Sequence, residues 1–297
     1  MNTLTVLIKR NIKMFFKDKG LLFTSLITPL ILLVLYATFL SNVYKDSFML
    51  TIPQPFAVDE KVIDACVGGQ LLSSLLAVCC VTVAFCSNML MIQDKVTGTR
   101  KDLLITPVSS STLALSYYIA TLLVTLFICL VAIVAGMAYL ACIGWYLRLT
   151  DIVLLIVDTF VLVLFGTSIS SIINCFLSSQ GQISAVGSIV SAGYGFICGA
   201  YMPISSFGSG LQKVVSFLPG TYGTSLLRNH ALGGVFEEMT AQGLPNEVIV
   251  GMKDAIDCNL YFFGDKVQPW VGYIVLGVSV AVLIGAYILI HKYKKEK

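Results

Sequence analysis

The stretch Leu113–Ile143, LALSYYIATLLVTLFICLVAIVAGMAYLACI, decides the fold. It lies in a run of 45 residues between Asp102 and Arg148 that carries no charge, and a helix needs only about 20 residues to cross ~30 Å of hydrocarbon. Strands of a membrane barrel alternate apolar and polar side chains over about 10 residues, so a continuously apolar stretch of this length reads as a transmembrane helix. The whole chain has the same character. Of its 297 residues, 57% are hydrophobic and 12% charged, and the mean hydropathy is +0.89; a soluble domain carries about 25% charged residues. A water-soluble protein, or a membrane protein with a large soluble domain, is therefore excluded. Nine cysteines, most of them inside apolar runs and none in a CxxC pair, read as small hydrophobes, with Cys66 and Cys258 the one pair considered for an outer disulfide.

Outward from this stretch, charge-free runs place six spans at 21–41, 66–92, 113–143, 152–177, 183–203 and 271–290. The second falls within 29 uncharged residues between Asp64 and Asp94, and the polar break Ser178–Gln182 separates the fourth from the fifth. A cleaved signal peptide is the rival reading of residues 9–40, but the apolar stretch is too long and no small-x-small site follows it. Basic residues give the orientation. With both termini cytoplasmic, the inner side carries +8 and the outer side −4, and Asp158 is left inside a span.

Residues 1–20 form an interfacial amphipathic helix: Leu4, Ile8, Ile12, Phe15 and Phe16 share one arc, and Lys9, Arg10, Lys13 and Lys17 lie opposite. Two readings stand, an anchor whose lysines meet acidic lipids and a lever that also touches a cytoplasmic partner. The loop 94–109 is the most informative soluble stretch. Thr99-x-x-Asp102 ahead of Leu103-Leu104-Ile105 is a helix-start pattern, and Pro107 stops that helix after about two turns. One of Ser109, Ser110 or Ser111 then caps the next span. The apolar Leu-Leu-Ile face needs a cover, either the membrane surface or a partner protein.

The run Asp94-Lys95-Val-Thr97-Gly98-Thr99-Arg100-Lys-Asp102-Leu103-Leu104-Ile-Thr106-Pro107 resembles the coupling-loop signature of type-two ABC exporter permeases. A second similarity lies after the fifth span. Gly199-Ala-Tyr-Met-Pro203-Ile, followed by Leu218-Pro219-Gly-Thr-Tyr222 and Arg228, resembles the family's outer re-entrant segment. The acidic cluster common in the family is here Gln93-Asp94-Lys95, which leaves open which side chain grips the partner. The resemblance implies an all-α permease of six spans, with residues 94–109 as a coupling loop and 204–267 as an outer re-entrant and insertion region. It implies a plasma-membrane location in a bacterial cell. It also implies two copies of an ABC ATPase subunit as partners, and a second permease chain, identical or homologous.

No Gly-x-x-x-x-Gly-Lys-Ser/Thr loop and no Gly-Lys dipeptide occur, so ATP and Mg are expected on the partner ATPase and no cofactor on this chain. The substrate expected from the resemblance is an amphiphile: a drug, an antimicrobial peptide or a lipid-like molecule. The alternatives are a polysaccharide or lipid-linked glycan, and a self-sufficient secondary transporter. An intramembrane hydrolase is excluded, because His230 and His291 fall on opposite faces and neither HExxH nor GxSxG occurs. Neither a metal site nor a nucleic-acid partner is expected. Candidate pathway residues are Gln70, Ser73, Ser74, Asn88, Asn174 and Asp158, each of which also reads as a helix–helix hydrogen-bonding group. The ladder Gly187, Ser191, Gly195, Gly199 permits a close helix approach, either within the chain or at a dimer face.

Overall fold

One residue, Asp18, separates α1 (Thr3–Lys17) from α2 (Lys19–Leu35): its carboxylate accepts the Leu21 N–H at 3.1 Å and caps the second helix. In this computed structural model, residues 3–53, 56 and 58–293 are described. Met1 and Asn2 of the first amphipathic segment, and the terminal charges Lys294, Lys295, Glu296 and Lys297, lie outside them. Helix α2 passes through a π-helical turn (Tyr36–Leu40) into α3 (Ser41–Thr51). Then come α4 (Glu60–Val96), α5 (Thr99–Ile105), α6 (Ser110–Ile143), α7 (Leu149–Phe176) and α8 (Gln180–Ile197). After a 3-10 turn follow α9 (Ser209–Val215), α10 (Pro219–Ala241), α11 (Asn246–Ala255), an antiparallel hairpin of β1 (Leu260–Phe262) and β2 (Asp265–Val267), and α12 (Pro269–Tyr293).

Helix α4 is the axis of the bundle, and its most apolar 18-residue window is entirely buried. Small residues such as Gly68, Gly69, Ser73, Ser74 and Ala77 let α2, α6, α7, α8 and α10 approach it closely. Helix α12 packs on α7 and α10. Among the described residues, five helices are long and apolar enough to cross a membrane: Lys19–Thr51, α4, α6, α7 and Pro269–Ile290. They contain or closely match the expected spans 21–41, 66–92, 113–143, 152–177 and 271–290.

The segment expected at 183–203 departs from its expectation. It forms the 18-residue α8, which stops at Ile197 because Gly199, at φ +76, turns the chain away. With two glutamines in its first turn and glycines and serines throughout, α8 lacks an apolar window of crossing length such as the other five contain. The region expected as an outer re-entrant and insertion segment packs deeply. Helix α10 sits inside the bundle against α4, α7 and α12 although it carries an arginine. Small residues make this possible: a Cβ at Gly223 would meet Leu162 at 2.6 Å, and one at Gly234 would overlap the Tyr146 carbonyl.

Helix α1 is amphipathic, but its buried seam is Leu7, Asn11 and Phe15. The expected apolar arc is thus rotated: Leu4, Ile8 and Ile12 are half-buried and Phe16 is exposed. The reason is polar, since Asn11 donates to Ser116 Oγ on α6 at 3.2 Å and Arg10 reaches α4. All nine cysteines are free thiols, Cys66 and Cys258 included.

Candidate functional site

The inner end of the bundle is built around the turn between α4 and α5. Gly98 holds φ +85, which a residue with a Cβ rarely adopts, and it occupies the N-cap position of α5 with no side-chain cap. The Thr99–Asp102 pattern therefore does not close as a capping box; Thr99 Oγ1 instead meets Thr97 Oγ1 at 3.0 Å. The helix ends at Ile105, as Pro107 requires, and Thr106 Oγ1 donates to the Leu103 carbonyl at 2.6 Å. Ser109 is the residue that caps α6, accepting the Thr112 N–H at 3.1 Å.

Asp94 and Lys95 do not present themselves to a partner. Asp94 is 5% exposed and accepts two bonds from Arg10, at 2.5 and 3.0 Å, and one from the Tyr117 hydroxyl at 2.5 Å. This bidentate pair pins α1 against α4 and α6, and hydrogen bonding to Asp94 pushes the Arg10 guanidinium above its ordinary value. Lys95 Nζ donates to the Leu177 carbonyl at 3.0 Å, where α7 ends with an unsatisfied acceptor. Both residues hold the inner ends of helices together.

The rest of the expected interface divides in two. Leu103 and Leu104 are half-buried against an inner apolar cluster that includes Leu7, Leu90, Tyr117 and Tyr287, so the chain itself covers part of the Leu-Leu face. Gly98, Thr99 and Arg100 are half-buried as well. The exposed ridge is Thr97, Lys101, Asp102, Ile105, Thr106 and Pro107. Ile105 is 84% exposed, the most accessible large apolar side chain of this end. The result is a short helix anchored on one side and bare on the other.

The expected pathway residues do not line a common opening. Gln70, Ser73, Ser74, Asn88 and Asn174 are all buried in the interior of the one chain. Ser73 Oγ donates to the Gln70 carbonyl at 3.0 Å, and Asn88 Nδ2 donates to Ser171 Oγ on α7 at 2.9 Å and to Ser170 Oγ at 3.2 Å. Asn88 thereby joins α4 to α7, because burial leaves a polar side chain no water to bind, whereas Ser73 bonds only its own helix and the Gln70 side-chain amide and Asn174 Nδ2 meet no partner among the described residues. The ladder likewise faces its own chain: Gly187 faces Met89 of α4, and Gly195 has no room for a Cβ beside the Tyr201 ring. Ser191 is half-buried and its carbonyl accepts the Tyr201 hydroxyl at 3.5 Å, while Gly199 is buried beside Asp257 and Ile204.

Two ionic groups escaped the sequence reading. Asp158 is bound by His230 of α10 and by the hydroxyl of Tyr273 on α12, each at 2.5 Å. Arg228, with no exposed surface, donates to Asp257 at 3.1 Å and to the Gly199 carbonyl, and reaches Ser74 Oγ at 3.5 Å. Arg228 itself was singled out as part of the outer motif, but nothing local pointed to Asp257 as its partner. For the first there was no signal beyond Asp158 itself.

A multi-pass bundle of apolar helices, with its ionic groups paired inside and a half-covered short helix at one end, defines an integral membrane protein of the transporter kind. A family model described as ABC-2 type transporter matches residues 2–231, and the chain belongs to that family. Membership carries with it partnership with an ABC ATPase in general. No curated protein matches the chain.

Proposed function

We propose that the chain is the permease subunit of an ATP-driven exporter in which α5 receives the motion of a separate ATPase. One observation carries this reading: the exposed ridge of Lys101, Asp102, Ile105, Thr106 and Pro107 stands on a helix whose other face is packed into the inner cluster. A force on the ridge passes through Leu103 and Leu104 to the ends of α4, α6 and α12. In this reading α8 is the fifth of six spans, both termini are cytoplasmic, and the membrane is the plasma membrane of a bacterial cell. Two ATPase copies bind ATP and Mg, and two permease chains, identical or homologous, enclose the path. The cargo is an amphiphile, a drug, an antimicrobial peptide or a lipid-like molecule. The apolar character of the spans favours it over a glycan.

The test is retrieval of an ATPase with the tagged chain from its native membrane in mild detergent. Ile105→Asp changes an exposed side chain and is expected to lower co-purified ATPase activity at least about tenfold, since a charge replaces an apolar contact, with an unchanged gel-filtration profile. Leu103→Asp is expected to disturb folding as well, because Leu103 is packed inward. A well-folded chain that retrieves no ATPase overturns the reading.

A further inference from the structure

A cavity of about 480 Å³ opens among α4, α7, α8, α12 and the first turn of α10, within the ~300–1,000 Å³ typical of small-molecule sites. Its walls include Phe85, Phe165, Ile169 and Val190, and no charged side chain lines it. Four of its five walls belong to helices of the transmembrane bundle, and at its rim Ile189 and Val282 are 69% and 64% exposed on the outer surface of that bundle. An apolar cavity of this kind stays dry, because a water there finds too few polar partners. Its natural content is hydrocarbon.

One end of the cavity differs. The Tyr194 hydroxyl is buried there and has no hydrogen-bond partner among the described residues. It stands against Gly220, where a Cβ would lie 2.6 Å from it. Gly220 is in the first turn of the 23-residue α10, right after Pro219, so its N–H has no carbonyl to bind within its own helix and sits at the positive end of the dipole. Buried polar groups nearly always find partners. A buried hydroxyl without a partner, beside the first turn of a helix and at the end of an otherwise apolar cavity, calls for an oxygen supplied by a ligand. Because no cation lines the site, that oxygen is uncharged.

We propose that this cavity binds a single hydrocarbon chain bearing one uncharged oxygen, the chain lying on the apolar wall and the oxygen accepting from the Tyr194 hydroxyl and the Gly220 N–H. The site is contained within one subunit. It stands whether or not α5 docks an ATPase.

The test uses the full-length chain in lipid nanodiscs and two probes, hexadecanol with a mid-chain diazirine and the matching diazirine alkane, with the labelled residues identified by mass spectrometry. Saturable labelling within residues 189–198 and 218–221, competed by unlabelled hexadecanol, is expected. Tyr194→Phe should weaken the alcohol about fivefold, the loss of one hydrogen bond, and leave the alkane unchanged. Ser279→Phe fills the cavity from α12, where Ser279 Oγ bonds only its own helix, and should abolish labelling by both probes. Labelling that rises without saturation and spreads equally to lipid-facing Phe127 and Val134 on α6 would mean surrounding lipid only and overturn the proposal. Equal loss of alcohol and alkane in Tyr194→Phe would overturn the role of the hydroxyl. ATPase retrieval by the same variants separates this outcome from that of the coupling reading.

Discussion

Nδ1 of His230 lies 2.5 Å from Oδ2 of Asp158, across 72 residues of sequence, and the carboxylate is almost wholly enclosed. With Tyr273 on the other oxygen, this carboxylate ties α7, α10 and α12 together. His230→Ala leaves a buried carboxylate with one donor, and the expected cost is about 1.5–3 kcal/mol, that of a lost hydrogen bond to a charged group. Tyr273→Phe should cost about 1–3 kcal/mol. A double-mutant cycle of His230→Ala with Asp158→Asn, followed by thermal unfolding in detergent, should show a coupling of at least about 1 kcal/mol. Additive single effects would show that the pair does not hold the three helices.

Asp257 predicts a pH dependence. Burial lifts its carboxyl above the ordinary value of 3.8, by more than Arg228 and the Ile204 N–H pull it down. The folded chain therefore holds this proton more tightly than the unfolded chain does. The corresponding stability is fully present below 3.8 and is lost as pH rises through the raised value. Asp257→Asn cannot titrate. The difference in unfolding midpoint, wild type minus Asp257→Asn, should fall as pH is raised from below 3.8 toward neutrality; a flat or rising difference would contradict the assignment.

Two glycines in membrane helices should respond oppositely to the same substitution. At Gly166 of α7 a Cβ would overlap the Cys80 carbonyl and stand 3.0 Å from Val81 Cα, both of them backbone atoms of α4 that cannot swing aside. Gly166→Ala is expected to cost about 2–3 kcal/mol by overpacking. At Gly277 of α12, exposed and with nothing near the new methyl group, alanine should stabilise the helix by about 0.5–1 kcal/mol. Unfolding midpoints of the two variants measured side by side decide it. A neutral Gly166→Ala would mean that α4 and α7 are not held at this spacing.

The elements were largely legible in the sequence because membrane helices are set by local apolar length, and the α5 boundaries by a glycine and a proline. Residues 99–105 were expected to be helical and are helical. The interior was not legible. Arg10 and Asp94 lie 84 residues apart, and nothing local marks them as partners. Arg10 was placed on the polar face of an amphipathic helix, where a lysine-like surface role fits equally well. The contacts of α10 were illegible for a related reason: glycines let it pack inside, and Asp257, 29 residues further on, compensates Arg228. Hydropathy measures the cost of exposing a residue singly and carries no record of a partner brought by folding.

The Arg10–Asp94 pair yields the last prediction, which concerns the seat of α1. Arg10 fixes both carboxylate oxygens of Asp94 in a planar bidentate pair, while Tyr117 shares one of them. Asp94→Asn keeps the shape but removes the charge, so the guanidinium loses most of its grip; the loss should be about 1.5–3 kcal/mol of local stability. Because α1 touches the bundle mainly through Leu7, Asn11 and Phe15, the loss should appear as opening of α1 and not as global unfolding. Faster amide hydrogen exchange across residues 3–17, with exchange in α4 and α6 unchanged, is the expected signature. Arg10→Lys should show an intermediate effect, since an ammonium cannot make the paired contact. If exchange in α1 is the same in all three proteins, α1 is held by its apolar seam alone, and the ionic pair adds nothing to its anchorage.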